Sequence, residues 1–294
     1  MHVLKSLFFM LFASPLWAAP YDPILEGMTA GSITFIGESH KHIESAMLVE
    51  DLVASASERG QCLTVALDIA DSQQPAIDRV LSNGASISDI DIPASIDHPP
   101  MRALVKHLAT LRTRSPCLNV VAIDAGPDNP SDRAEWMASR LSKFPSDRPT
   151  LVLIGALHTL KKVDWLVKIG KPSVAERLAT RGFDVRSFPQ RWLPDQCRAG
   201  ESRNQRFVSA DKPEALAILN GSLMSLINAK PHRAAKGVVD GFILWECGSS
   251  ERKWKPDNAR SSIAQLAEQY VHSGGQSTYP SIAFVLTRNS SGPP

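Results

Sequence analysis

Aromatic residues are scarce, at 6% of 294, and tyrosine occurs only as Tyr21, Tyr270 and Tyr279. An excess of one charge is missing too: 32 Lys and Arg stand against 30 Asp and Glu, a formal charge of +2. A near-neutral chain offers no electrostatic footprint for a phosphate backbone, which excludes nucleic acid as its natural partner. After the first twenty residues no stretch approaches the ~20 apolar residues that cross a bilayer, so no transmembrane segment is expected in a mature chain. Linkers rich in Gly, Ser or Pro are absent, as is any repeat of fixed period, which excludes a string of modules. What remains is 43% apolar and 21% charged residues, a globular composition with enough apolar side chains for a sizeable core.

The N-terminus reads as a cleavable export signal. Lys5 forms a short basic region, Leu7 to Phe12 is an apolar run, and Ala18 and Ala19 close it with small residues. Cleavage after Ala18 or Ala19 leaves a mature chain from residue 20, and places the protein in the periplasm or outside the cell. In that oxidising setting an even cysteine count points to disulfides. Cys62 and Cys117 each open an apolar run, and adjacent parallel strands would set their sulfurs side by side. Cys197 and Cys247 remain as a second pair. Four buried thiols are the alternative; a zinc site is a poorer one, because no C-x-x-C occurs.

Apolar, β-rich runs alternate with helical patterns along most of the chain. Expected strands are Ile33 to Gly37, Leu63 to Ile69, Leu118 to Asp124, Thr150 to Gly155, Asp184 to Phe188, Val238 to Trp245 and Ile282 to Leu286. Expected helices are Ile43 to Arg59, Gln73 to Leu81, Met101 to Arg112, Arg133 to Leu141, Val174 to Arg181, Pro213 to Asn228 and Ala259 to Val271. Continuously apolar strands in such alternation predict an α/β fold: a mostly parallel sheet with helices on both faces. One domain over residues 20–294 is expected, with a possible appended unit from about residue 190. The segment Asp89 to Pro100 reads as an irregular loop, its prolines limiting helix.

Ligands of open parallel sheets bind beyond the carboxyl ends of the strands. There the first strand gives Gly37-Glu38-Ser39-His40, and the fourth gives Gly155-Ala156-Leu157-His158. The motif G-x-x-H thus occurs twice, each time just after a strand and about 120 residues apart. Asp68 and Asp124 end the second and third strands. Two imidazoles and nearby carboxylates are the donors a catalytic divalent metal needs, with an open position for an ionised water. Without metal, one histidine serves as general base, oriented by Glu38 or Asp68. Helix capping is the competing role for Glu38, Asp68 and Asp124. His42, on the first helical turn, is expected to face solvent. His98, His107, His232 and His272 are expected on the surface, and Lys161-Lys162 on a solvated face.

The two motifs resemble those of the superfamily that joins the TraB/Tiki proteins, the erythromycin esterases and the ChaN-like haem-binding proteins. Val65 to Asp78 looks most like the ChaN branch, with Asp68 standing where that branch usually has Glu. Asp132 to Ala138 is similar to a further family segment; Arg133 matches its arginine, while Ala134 replaces a polar residue. Val239 to Trp245 is faintly similar to a closing strand of ChaN-like domains.

The resemblance implies either a metal-dependent hydrolase of peptide or ester bonds or a haem-binding protein of iron uptake or storage. In the first, His40, His158 and Glu38 hold the metal, or a histidine acts as base. Glu38 is the general acid/base, Asp68 orients, and Arg133 stabilises developing negative charge. In the second, His40, His158 and Arg133 contact haem, the arginine as propionate clamp. Tyrosine ligation, which the ChaN resemblance implies, finds no tyrosine near the motifs, so histidine would take that part. Either way the expected partner is a small-molecule or peptide ligand. A third reading keeps the fold for partner binding without chemistry, in line with the changes at Asp68 and Ala134.

Overall fold

A computed structural model describes residues 21–248 except 40, 41, 127, 128, 130, 145, 169, 195, 199 and 200. The expected signal peptide, the strand from Ile282, the helix from Ala259, and His272 fall outside the described residues. So does His40 of the first motif.

The strands are β1 (Ile33–Glu38), β2 (Thr64–Ala70), β3 (Asn119–Asp124), β4 (Thr150–Gly155), β5 (Val185–Leu193), β6 (Arg203–Ser209) and β7 (Gly241–Cys247). They form one sheet in the order β3-β2-β4-β1-β5-β7-β6. Every pairing is parallel except that of β6 with β7. All residues of β1 and β2 are buried, as the unbroken apolar runs require of strands covered on both faces.

The helices are α1 (Asp22–Gly27), α2 (Glu44–Glu58), α3 (Gln74–Leu81), α4 (Pro99–Arg114), α5 (Arg133–Leu141), α6 (Val174–Thr180) and α7 (Pro213–Ile218). On one face Leu48, Leu52, Ile77, Leu104 and Leu108 of α2, α3 and α4 pack on Ile36, Leu67, Val120 and Leu153. On the other, Met137, Ala138 and Leu141 of α5 and Val174 and Leu178 of α6 pack on Phe35, Ala66, Ile123 and Val152. The fold is therefore the expected α/β sheet between two helical layers. Under β7, Phe242 and Leu244 join α7 and the following π-helical turn Leu219–Met224.

Three local departures have clear causes. Helix α4 begins at Pro99, inside the expected loop, because prolines in a first turn lack only N–H groups that have no helical partner. His98 caps it, its Nδ1 accepting the Met101 N–H at 3.1 Å, so it is not a loose surface group. Strand β6 has no apolar run to announce it. It is a polar edge strand whose Arg206 pairs with Glu214 and Glu246, the charged side chains that keep an edge from recruiting another strand. The opposite edge, β3, is shielded differently. The Gln74 side chain donates to Val120 O at 3.0 Å and accepts from Ala122 N at 2.8 Å, standing in for a neighbouring strand.

Both expected disulfides form. Cys62–Cys117 joins the amino ends of β2 and β3, and Cys197–Cys247 joins the carboxyl ends of β5 and β7. Among the described residues no cysteine is free, and no helix is long and apolar enough to cross a membrane.

Candidate active site

Strands β1 and β4 are neighbours, and Glu38, last residue of β1, pairs in register with Gly155, last residue of β4. Their connections diverge: β1 leads to α2 on one face, β4 through residues 156–173 to α6 on the other. Adjacent strands whose crossovers leave to opposite faces open a crevice at their carboxyl ends, the usual ligand position in such sheets. Glu38 lies at this crevice, only 3% exposed. His158 follows Gly155 within the 3-10 turn Ala156–Thr159, half-buried, the turn held by Thr159 Oγ1 donating to Ala156 O at 2.7 Å.

The glycines of the two motifs do different work from each other. A Cβ on Gly37 would come within 2.9 Å of the Ala156 and Pro189 Cα atoms, so this position is close-packed backbone on both sides. A Cβ on Gly155 would meet nothing nearer than His158 Cδ2 at 3.8 Å. Gly37 thus lets β5 and the β4 turn close on the end of β1. Neither glycine is there for a left-handed turn.

Asp68, two residues before the end of β2, and Asp124, last residue of β3, are buried, and Arg133, first residue of α5, reaches both. Its Nε donates to Asp124 Oδ1 at 2.6 Å and its Nη2 to Asp68 Oδ1 at 2.8 Å. The Ala125 N–H also donates to Asp124 Oδ1, at 2.8 Å. Burial works against the guanidinium charge, but Asp68 and Asp124 outweigh it and hold Arg133 above the ordinary arginine pKa. Half of the Arg133 side chain still faces solvent, so this cation is both anchored and presented. The capping role fails for all three acids. The N-cap of α5 is Asp132, that of α2 is Ile43, and that of the turn after β2 is Ala70.

Several basic residues are less exposed than expected, each for want of a partner recognisable in sequence. The His42 ring stacks on Trp192, centroids 4.0 Å apart and planes 9° from parallel. His107 Nδ1 lies 3.0 Å from Glu50 between α2 and α4. Burial, with Asp51 nearby, pushes Glu50 up to about 7, while burial and Arg114 pull His107 down. His232 is 7% exposed at the side chain, and its backbone pairs with Asn220. Lys161 turns inward onto Asp240 at 2.7 Å, whose carboxylate also accepts the Ser187 N–H; Lys162 remains exposed.

From Gln190 onward, residues of β5, β6 and β7 hold the loop that follows β1 from the side away from β4. Gln190 donates to Gly37 O and Ser45 Oγ, both at 3.1 Å, and accepts from Trp245 Nε1 at 2.7 Å. Trp192 Nε1 donates to Glu44 at 3.1 Å, and Arg203 pairs with the same carboxylate at 3.2 Å. No motif marks Gln190, Trp192 or Arg203, because their partners lie some 150 residues upstream or on another strand.

The donor set bears on a metal. Among the described residues, Glu38, Asp68, Asp124 and His158 do not gather into a three-ligand cluster. The one such cluster among the described residues joins Cys197, Cys247 and Glu201, and its sulfurs are committed to a disulfide. The third expected metal ligand, His40, lies outside the described residues. For haem, Tyr21 is the only described tyrosine, and it opens α1 beside Asp22, which pairs with Arg59 at the carboxyl end of α2, far from the rim.

No protein-family model matches the chain, and no curated protein sequence does. Solved structures do. An erythromycin esterase mutant in its open conformation is similar at 11% identity and TM-score 0.48, over 77% of this chain and 92% of that one. The ChaN of Campylobacter jejuni, described with cofacially bound haem, is similar at 13% and 0.41, over 60% of this chain and 87% of that one. The RRSP effector domain of a Vibrio vulnificus MARTX toxin is similar at 19% and 0.39 over 59% of this chain, which spans 36% of its length. The structures this chain resembles thus include a ChaN and an erythromycin esterase, two of the three groups in the superfamily its G-x-x-H motifs resemble.

Proposed function

We propose that the protein is an exported hydrolase of peptide or ester bonds, working by acid–base chemistry at the crevice between β1 and β4. The observation that carries this reading is the pairing of Glu38 with Gly155, which puts a buried carboxylate and the turn bearing His158 at one switch point. A water positioned there attacks the scissile carbonyl while His158 takes its proton. Negative charge gathers on the carbonyl oxygen, and Arg133, fixed by two aspartates and open on its solvent side, stabilises it. Glu38, as the general acid, delivers a proton to the departing amine or alkoxide, and proton exchange with water resets both groups. The described donors do not make a metal set by themselves, so no step is routed through an ion. The described rim lacks the phenol for a ChaN-type haem, and no step is routed through haem either.

The test is turnover of fluorogenic ester and peptide panels by the mature protein, with and without a chelator. Glu38→Gln and His158→Ala are each expected to lower kcat by about 10²- to 10⁴-fold, with the disulfides and thermal transition intact. Turnover that disappears on chelation would replace acid–base chemistry by metal chemistry. A Soret band on haem titration, with no turnover on either panel, would overturn the hydrolase.

A further inference from the structure

The polar group at the carboxyl ends of β5 and β7 has no part in the chemistry above, yet it grips the segment that presents Glu38. Continuing the β1–β5 register beyond Gly37 and Pro189 sets Gln190 beside Glu38. The Gln190 side chain is 4% exposed. An indole N–H can only donate, so Trp245 fixes the Gln190 oxygen toward β7 and the amide NH₂ toward Gly37 O and Ser45 Oγ. The amide therefore holds the carbonyl just before Glu38 and the second residue of α2 at once, bracketing the loop between them. One turn outward, Trp192 stacks on His42 and binds Glu44, which Arg203 of β6 holds from the other side. The loop between β1 and α2 is thus clamped at both ends from β5, with β7 and β6 anchoring the clamp.

We propose that Gln190 is a positioning residue for Glu38, setting its carboxylate in the crevice by holding the Gly37 carbonyl. This rests on Glu38 being an acid–base group of the reaction, so the test has one arm that does not need turnover. In Gln190→Met, which fills the same space without polar atoms, amide hydrogen exchange over residues 36–47 is expected to rise about tenfold, while residues 63–70 of β2 stay unchanged. In turnover, kcat is expected to fall about 10- to 100-fold with KM within about twofold, since a small misplacement of a reacting group acts on the chemical step.

Trp245→Phe separates the two bonds. It removes the indole N–H and leaves the Gln190 amide free to donate to Gly37 O and Ser45 Oγ. If positioning is the role, this variant stays well above Gln190→Met in kcat. If Gln190 only anchors Trp245, it is as slow as Gln190→Met, and the proposal falls. Unchanged exchange over 36–47 overturns it as well. A wild-type protein without turnover, in which Gln190→Met still loosens residues 36–47 alone, would remove the proposed reaction and leave the clamp.

Discussion

The two halves of the sheet meet at β1 and handle their polar side chains in opposite ways. From β1 through β4 and β2 to β3, the rim carries charge: Glu38, His158, Asp68, Asp124 and a half-exposed Arg133 bridging the aspartates. From β5 through β7 to β6, the rim carries a closed hydrogen-bond network in which Gln190, Trp192 and Trp245 are almost wholly buried. The first half presents groups to the crevice and the second holds the crevice's loop in place. The disulfides follow the same division. Cys62–Cys117 lies at the strand ends remote from the rim, whereas Cys197–Cys247 closes the loop that leads from β5 to Arg203. Presentation and support therefore come from different stretches of chain, and only β1 belongs to both.

Removing the disulfides one at a time tests that division most strongly. The loops they close span 55 and 50 residues, so chain entropy assigns each about 4 kcal/mol of stability, nearly equal effects. Cys62→Ser with Cys117→Ser should lower the urea midpoint and leave kcat unchanged. Cys197→Ser with Cys247→Ser should lower the midpoint as far and reduce kcat too, because Arg203 and Glu44 lose their frame. Equal kcat losses from both pairs would dissolve the distinction between the halves. The next effect in size is at the seam. Gly37→Ala drives a methyl into backbone on two sides and should cost about 2–3 kcal/mol. Gly155→Ala, with room for the methyl, should stay within about 0.5 kcal/mol of wild type. Reversal of that order in denaturant unfolding would show that the seam is not where β5 closes on β1.

Sequence reasoning reached the charged half and missed the supporting one, for a physical reason. Groups such as Glu38, Asp68, Asp124 and His158 sit just past apolar runs, so strand periodicity alone locates them. Arg133 came through the resemblance of Asp132 to Ala138 to a family segment; its bridge to two strands did not. Trp245 looks like an ordinary member of an apolar strand, Gln190 and Trp192 lie past the expected end of theirs at Phe188, and what all three do depends on which strands become neighbours. That order, with β5 between β1 and β7, is a property of topology that no local pattern contains. Strand β6 escaped for a related reason. As an edge it buries little, and its Arg203 and Arg206 are explained only by Glu44 of α2, Glu214 of α7 and Glu246 of β7. The same holds for His107, whose partner Glu50 lies on another helix.

That last pair offers the smallest expected effect, and it asks whether the helical layer behind the rim is tuned by protons. Glu50 is held up at about 7, first by burial and then by Asp51, so between its unfolded value of 4.5 and about 7 the folded chain binds the extra proton. Its contribution to stability is therefore greatest at low pH and is lost as pH rises through that window. His107 works in the opposite direction. Burial, with Arg114, lowers its pKa below 6.5, so its penalty is felt in acid and disappears as pH rises. In wild type the two trends offset each other up to about pH 6.5, above which only that of Glu50 remains. Glu50→Gln keeps an acceptor for His107 and removes the titration. It should be more stable than wild type at pH 8, with the gap closing toward pH 5. A gap independent of pH would mean that Glu50 titrates alike in the folded and unfolded chain. A gap that instead widens toward acid would place the proton on His107, and make the α2–α4 contact an ion pair of the same kind as those at the rim.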